Sequence, residues 1–185
     1  MDVVSHALWT GAAVIAIGRR QPVTRAQFAG AIALSVVPDL GQLLPVAAWA
    51  ASQGDWRIVT AWISATPGHE PAIPHLVRLI SHHLHCIMHS AVIASVVTAV
   101  AWRLRPTWLI PLLGWWLHIA IDIPTHSNDY YAVPFLYPFT YWSVSGVAWT
   151  TPWLLAADYA ALAFVYVALY ATRRTGRQRG ARGAT

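Results

Sequence analysis

Histidine and aspartate residues recur at helical spacing within apolar parts of this sequence. His85 and His89 are four residues apart, and so are His118 and Asp122. On a helix each pair projects from one face, with its Cβ atoms about 6 Å apart, which suits two ligands of one metal ion. The donors are imidazoles and carboxylates, a set that suits Zn²⁺, Mn²⁺ or Fe²⁺. Because there is no thiolate cluster, a cysteine-type structural zinc site is not expected.

Titratable residues in five apolar stretches lie at a similar distance from an arginine. His6, Asp39, His89, His118 and Asp158 are each 13 to 15 residues from the arginine that bounds their stretch. At about 1.5 Å per helical residue, that distance is roughly 20 Å. The spacing predicts one layer in the outer half of a membrane core about 30 Å thick. Because ionisable side chains are unfavourable at that depth, we expect them to face one another or a wet cavity.

Six donors from four predicted helices exceed what one closed tetrahedral zinc site needs, which favours one or two ions with open positions. A pair of ions can activate water at neutral pH and stabilise the attacking and leaving oxygens of phosphoryl transfer. We therefore predict a metal-dependent hydrolase of a small or lipid-linked phosphoester. In this prediction Asp122 or Asp39 bridges metals or accepts a proton, and His126 protonates the leaving group. The predicted ligands are His6, Asp39, His85, His89, His118 and Asp122.

Membrane helices are the elements predicted to position these residues. Of the 185 residues, 57% are hydrophobic and 10% are charged, against about 25% charged in soluble domains. This composition argues against a soluble enzyme and against a disordered chain. The predicted fold is an all-α, polytopic membrane helical bundle that forms one domain over residues 1–174. Its five predicted transmembrane helices are the charge-poor stretches 4–18, 26–51, 85–102, 107–123 and 152–172.

Arginine placement predicts the orientation of the bundle. The chain has no lysine, and with five spans ten of its twelve arginines fall on one side of the membrane. The positive-inside rule makes that side cytoplasmic, so the N-terminus lies outside and the C-terminus inside. Residues 175–185, rich in glycine and arginine, are predicted to form a basic, disordered cytoplasmic tail. Since the arginines serve as a topology signal, membrane lipid is an expected partner and nucleic acid is not.

Four segments resemble a known family. They are Ser5-His6, Val37-Pro38-Asp39-Leu40, His85-Cys86-Ile87-Met88-His89-Ser90 and Leu117-His118-Ile119-Ala120-Ile121-Asp122. Their order is similar to that of the motifs in the YdjM family. Members of this family are LexA-regulated, are associated with the bacterial inner membrane and are described as metal-dependent hydrolases. The resemblance spans residues 2–127. It implies a multi-pass inner-membrane protein in which the same six histidines and aspartates bind the metal.

The chain departs from the family pattern in two places. Position 41 is glycine, where the family often has a second aspartate, and this removes one donor. The fourth motif is followed by Pro124, Thr125 and His126, so His126 is a candidate replacement donor. Both departures affect the expected number of metal ions.

Other interpretations of the histidine and aspartate layer stay open. A metal carrier or channel would use the same donors as a transit site, and a haem protein would need two opposed histidines. A structural membrane protein would use the layer as an interhelical hydrogen-bond network.

Outside the layer, His82 and His83 are expected at the membrane interface. Asp158 matches no motif and is a candidate to orient a ligand imidazole. The aromatic run 130–153 is typical of an interfacial belt or of a lid over the site.

Overall fold

The computed structural model describes residues 1–65, 69–129 and 131–182, with the backbone alone for 174–182. Its regular structure is helical, which confirms the predicted all-α fold. The backbone of the last helix continues into the segment 175–185, the predicted tail, and residues 183–185 lie outside the described part. The helices are α1 (Val3–Ile17), α2 (Arg25–Gln53), α3 (Arg57–Ser64), α4 (His75–Met88), α5 (Ala91–Leu104), α6 (Leu109–Thr125) and α7 (Pro152–Arg182), with a 3-10 turn at Pro106–Trp108 before α6.

The central helix is α2, which packs against α1, α4 and α6. It begins at a capping box, in which the side chains of Thr24 and Gln27 each accept a hydrogen bond from the other residue's backbone N–H. This arrangement satisfies two of the N–H groups that a helix start leaves unpaired. The helix ends at Gly54, whose φ of +67° lies in the left-handed region that favours glycine. The three helices around α2 carry most of the predicted site residues.

The backbones of α2 and α6 approach each other closely at Gly114. A Cβ atom on this residue would lie 1.9 Å from the carbonyl oxygen of Ala31, so only glycine fits. One turn further along both helices, Nδ1 of His118 lies 2.9 Å from the carbonyl oxygen of Ser35. Because both pairs are separated by one helical turn, the close packing at Gly114 fixes where His118 stands against α2.

The predicted third span, residues 85–102, is two helices rather than one. They meet at an angle of 59°, with the break at His89 and Ser90. The hydroxyl of Ser90 accepts a hydrogen bond of 3.1 Å from the N–H of Ile93 and so caps the start of α5. Serine is among the residues preferred at a helix start, and this local preference is the physical reason why a continuous helix was the wrong prediction.

Within the described part of the chain, two helices are long and apolar enough to cross a membrane, α2 and residues 152–173 of α7. The pair α4 and α5 adds a third span if the two helices cross as one bent unit. The helices α1 and α6 have 15 and 17 residues, and at about 1.5 Å per residue both are shorter than a hydrocarbon core of about 30 Å. The described residues therefore contain two or three candidate membrane spans, while five spans and the orientation stay predictions.

Asp158 fastens α7 to α1. Its carboxylate accepts hydrogen bonds from the hydroxyl of Ser5 (2.6 Å) and from Nε1 of Trp9 (2.8 Å). Both oxygens thus have a partner on α1, which removes the penalty of placing a carboxylate in an apolar helix pair. The prediction that Asp158 orients an imidazole is wrong, because its carboxylate accepts hydrogen bonds from a hydroxyl and an indole instead.

Replacing Gly114 should destabilise the protein selectively. We expect Gly114→Ala to lower the free energy of unfolding by about 1–3 kcal/mol, since α2 and α6 must separate to admit the methyl group. Gly41→Ala is the matched control, because a Cβ atom at that position of α2 meets no described atom within 4 Å and alanine favours the helix. Thermal unfolding of both variants in detergent measures the difference. Equal melting temperatures would contradict the close approach.

Candidate metal centre

Three imidazoles surround the carboxylate of Asp122 in the interior of the helix bundle. Nε2 of His6 lies 3.0 Å from Oδ1, and the Nε2 atoms of His118 and His89 lie 3.1 and 3.3 Å from Oδ2. These four residues are fully buried. The carboxylate of Asp39 stands at the edge of the group, 3.7 to 3.9 Å from the same three Nε2 atoms and 18% exposed. Residues predicted from separate helices therefore meet at one place.

Each of these side chains is positioned by a local feature of its helix. His6 lies in the first turn of α1, which Asp2 caps by accepting the N–H groups of Val4 and Ser5 at 3.0 Å. His89 is the residue that ends α4, so its ring projects from a helix terminus and not from a helix middle. Asp39 follows Pro38 inside α2, where a proline interrupts backbone hydrogen bonding. The site is thus assembled largely at helix ends and at a helix interruption.

Backbone carbonyls hold three histidines through Nδ1. His89 donates to the carbonyl of His85 at 2.8 Å, His118 to that of Ser35 at 2.9 Å, and His126 to that of Tyr131 at 2.7 Å. A carbonyl oxygen can only accept, so the proton in each contact sits on Nδ1. A neutral imidazole then presents the lone pair of Nε2. Metal-ligating histidines are anchored in the same way in other proteins.

The lone pairs converge without a donor between them. Nε2 of His118 lies 3.1 Å from Nε2 of His89, and both face Oδ2 of Asp122. Among the described residues, that Oδ2 and both ring nitrogens of His6 are buried without a hydrogen-bond partner. His6 is close to Asp122 but outside hydrogen-bonding geometry. Acceptors that face one another at such distances need a metal ion or additional protons between them, because unpaired buried polar groups are strongly unfavourable.

The spacing of these atoms fits a divalent metal ion. Ligand atoms of a tetrahedral ion at about 2.0–2.2 Å lie about 3.3–3.6 Å apart, and the nitrogen–oxygen separations of 3.0 to 3.9 Å in the cluster lie on both sides of this range. One donor atom from each of Asp39, His89, His118 and Asp122 lies within 4.8 Å of the other three. His6, close to Asp122, adds a fifth donor to this group. The residues present can therefore hold a metal ion.

The predicted ligand His85 lies beside this group and not within it. Its ring centroid is 4.1 Å from that of His89, and Nε2 is 3.2 Å from the carbonyl oxygen of Ala132. Its Nδ1 is buried and has no hydrogen-bond partner in the described part of the chain. A ligand role for His85 stays a prediction.

His126 stands on the other side of Asp122, with Nε2 3.5 Å from Oδ1. The segment 146–149, here called the strap, holds this end of α6. The N–H groups of Gly146 and Trp149 donate to the carbonyls of His126 and Thr125 at 2.8 Å. A Cβ atom on Gly146 would lie 2.1 Å from the carbonyl oxygen of Pro124, so the strap requires glycine there. The strap comes from the aromatic run that the sequence predicted as a belt or a lid.

The amino group of Met1 is a contact that sequence reasoning missed. It lies 2.6 Å from Oδ1 of Asp122 and 3.2 Å from Nε2 of His126. No periodicity or motif includes Met1, which precedes α1, so the sequence carried no signal for this contact. Asp122 thus interacts with positive or polar groups on both of its oxygens.

A cavity of about 270 Å³ adjoins the cluster. Asp39, His85 and His126 line it, whereas the buried ring of His6 and the carboxylate of Asp122 lie behind them. His82 and His83 are outside both the cavity and the cluster. They contact Tyr141 through ring stacking at 6.1 Å and Tyr137 through its hydroxyl at 3.5 Å. The cavity gives the cluster one accessible side.

The fold and the site define a class, an all-helical membrane protein with a buried cluster of histidine and aspartate that can hold a metal ion. The chain belongs to the YdjM family, because the family model described as YdjM inner membrane protein matches residues 1–180. This match confirms the family expected from the four motifs and extends beyond the segment that carries them. Neither a curated protein nor a solved structure matches the chain.

Removing one imidazole from the cluster should remove most of the metal. We expect His118→Ala and His89→Ala to weaken metal binding by more than the roughly 10–100-fold that loss of an outer partner causes, since each removes a donor atom itself. His83→Ala, outside the cluster, is the matched control and should retain the metal. Elemental analysis of the detergent-purified proteins measures the metal per chain. A metal content that neither cluster variant changes would rule out this centre.

Proposed function

We propose that this protein is a membrane-embedded, metal-dependent hydrolase of a phosphoester, acting on the non-cytoplasmic side. The observation that supports the proposal is the convergence of imidazole and carboxylate acceptors beside a cavity. Zinc is the proposed ion because the donors are nitrogen and oxygen atoms at tetrahedral spacing, with manganese or iron as the other candidates. The cluster suits one ion, and His85 and His126 lie close enough to contribute to a second.

A divalent ion held by this cluster would supply charge for a phosphoryl oxygen and would acidify an attacking water. The chain's own residues supply the proton transfers. Asp39, whose carboxylate reaches the cavity, accepts a proton from a water molecule while the oxygen of that water bonds to phosphorus. The bond from phosphorus to the leaving oxygen breaks, and His126 gives that oxygen a proton from Nε2. Asp122 would hold the ion from inside the cluster, and its carboxylate, 3.5 Å from Nε2, orients the ring of His126 towards the cavity.

The position of His126 supports its role as the general acid. It lines the cavity, its ring is oriented by the Tyr131 carbonyl, and the carboxylate of Asp122 is 3.5 Å from Nε2. The Tyr131 carbonyl fixes which ring nitrogen is turned towards Asp122 and the amino group of Met1. A ring held in this way beside the cavity can pass a proton to a leaving group there.

The other interpretations are less well supported. The ring centroid of His118 is 4.0 Å from that of His6 and 4.9 Å from that of His89, which leaves no room for a porphyrin plane between them. A metal carrier would need a second polar layer, yet residues 7–18, 26–38 and 106–117 contain no ionisable residue between the cluster and the arginines. A purely structural network would need additional protons on the imidazoles of His89 and His118, whose Nε2 atoms lie 3.1 Å apart.

The proposal predicts a specific pattern of rates in variants. Chelation should abolish phosphoester hydrolysis by the purified protein, and adding zinc should restore it. His126→Asn should lower kcat by about 10²–10⁴-fold for an alkyl ester, as expected when a general acid is lost. The loss should be much smaller for a nitrophenyl ester, whose leaving group needs no proton.

His83→Asn is the control for this series, and its rates should equal those of the wild type on both esters. Hydrolysis that persists after complete chelation would refute the metal-dependent mechanism. An equal loss on both esters would refute the assignment of His126 as the acid.

A further inference from the structure

The cavity beside the cluster has a polar side and an apolar side. The polar part of its lining includes Asp2, Asp39, Gln42, His85 and His126, and Leu43, Trp62 and Ile63 are among the apolar part. Leu43 follows Asp39 by one turn on the same face of α2, about 6 Å further along the helix. A ligand that fills this space therefore meets charged groups at one end and hydrocarbon at the other.

The helix α3 forms the apolar wall of the cavity. It is eight residues long and amphipathic, and none of its residues is buried. Trp56 and Ile63 are each 60% exposed. A short amphipathic helix that carries tryptophan is typical of an element lying in the membrane interface. Because Trp62 and Ile63 also line the cavity, the cavity wall is continuous with the lipid-facing surface.

The size and charge of the cavity limit what it can hold. Its volume of about 270 Å³ is slightly below the range of about 300–1,000 Å³ usual for ligand sites. The space suits one hydrocarbon chain next to a phosphate better than it suits a diacyl lipid. The described lining contains no lysine or arginine, and the amino group of Met1 in that lining already pairs with Asp122 at 2.6 Å. A cation in the adjoining cluster is therefore the charge left to bind an anionic headgroup.

We propose that the substrate is an amphiphilic phosphoester with a single hydrocarbon chain. Its phosphoryl group lies at Asp39 and His126, and its chain lies along Leu43, Trp62 and Ile63. This inference rests on the proposed hydrolase function and adds the chemical class of the substrate. It also assigns Trp62 as a specificity-determining residue that contacts the chain and takes no part in the proton transfers.

Binding of an unreactive analogue tests the inference without relying on hydrolysis. Zinc-loaded protein in phosphatidylcholine nanodiscs would be titrated with alkylphosphonates of increasing chain length. Affinity should rise by up to about fourfold for each methylene that enters the cavity, beyond the partitioning into empty nanodiscs. Trp62→Ala should weaken binding of dodecylphosphonate about tenfold and leave methylphosphonate unchanged. Trp56→Ala is the matched control, because this exposed tryptophan adjoins α3 without lining the cavity.

Hydrolysis of matched esters separates this inference from the proposed function. With a dodecyl phosphoester, Trp62→Ala should raise KM about tenfold at unchanged kcat, and with a methyl ester it should change neither constant. If Trp62→Ala alters both esters equally or neither, the chain does not occupy the cavity and this inference is wrong. If neither ester is hydrolysed but the phosphonates bind with the expected dependence on Trp62, the hydrolase proposal fails and the amphiphile site stands. If phosphonate affinity depends equally on chain length in the wild type, Trp62→Ala and Trp56→Ala, the amphiphile site itself is overturned.

Discussion

The buried carboxylate of Asp122 is the constraint on which the arrangement of this protein depends. An ionised carboxylate in an apolar interior is strongly unfavourable unless charges or hydrogen bonds compensate it. Here the surrounding imidazoles of His6, His89 and His118 lie within 3.3 Å of it. Two of those rings already use their proton on a backbone carbonyl, so they offer lone pairs to the carboxylate and not donors. A cation resolves this conflict for the whole cluster at once, whereas protonation would have to resolve it ring by ring.

Helix ends around the site position the side chains of this cluster. The break between α4 and α5 puts His89 at a helix terminus, and α6 ends just after Asp122. Free carbonyls at such ends need partners, because nothing in a hydrocarbon layer can satisfy them. The strap at Gly146 and Trp149 supplies N–H groups to the end of α6, and Nε1 of Trp115 donates to the carbonyl of Met88 at 2.5 Å. These contacts allow irregular backbone to exist beside the metal ligands.

Much of the site could be predicted from the sequence, since helical periodicity is local information. The four-residue spacing of His118 and Asp122 placed both side chains on one face, and the structure has them 3.1 Å apart. The same rule held for His85 and His89, whose ring centroids are 4.1 Å apart, although His85 lies beside the cluster and not within it. The long-range contacts of Met1 and of the strap follow no period. They depend on how distant segments pack, and a single sequence does not encode that packing in a readable pattern.

Helix lengths explain how a buried cluster can still meet a polar substrate. His6 is in the first turn of α1 and Asp122 in the last turn of α6, so both short helices end near the site. By contrast, α2 continues for 14 residues beyond Asp39, about 21 Å of additional helix. This extension, together with α3 and α4, encloses space past the ends of the short helices. The cluster thus lies at the base of a partly apolar vestibule, in which the proposed ester would reach the candidate metal ligands with its hydrocarbon chain towards the lipid.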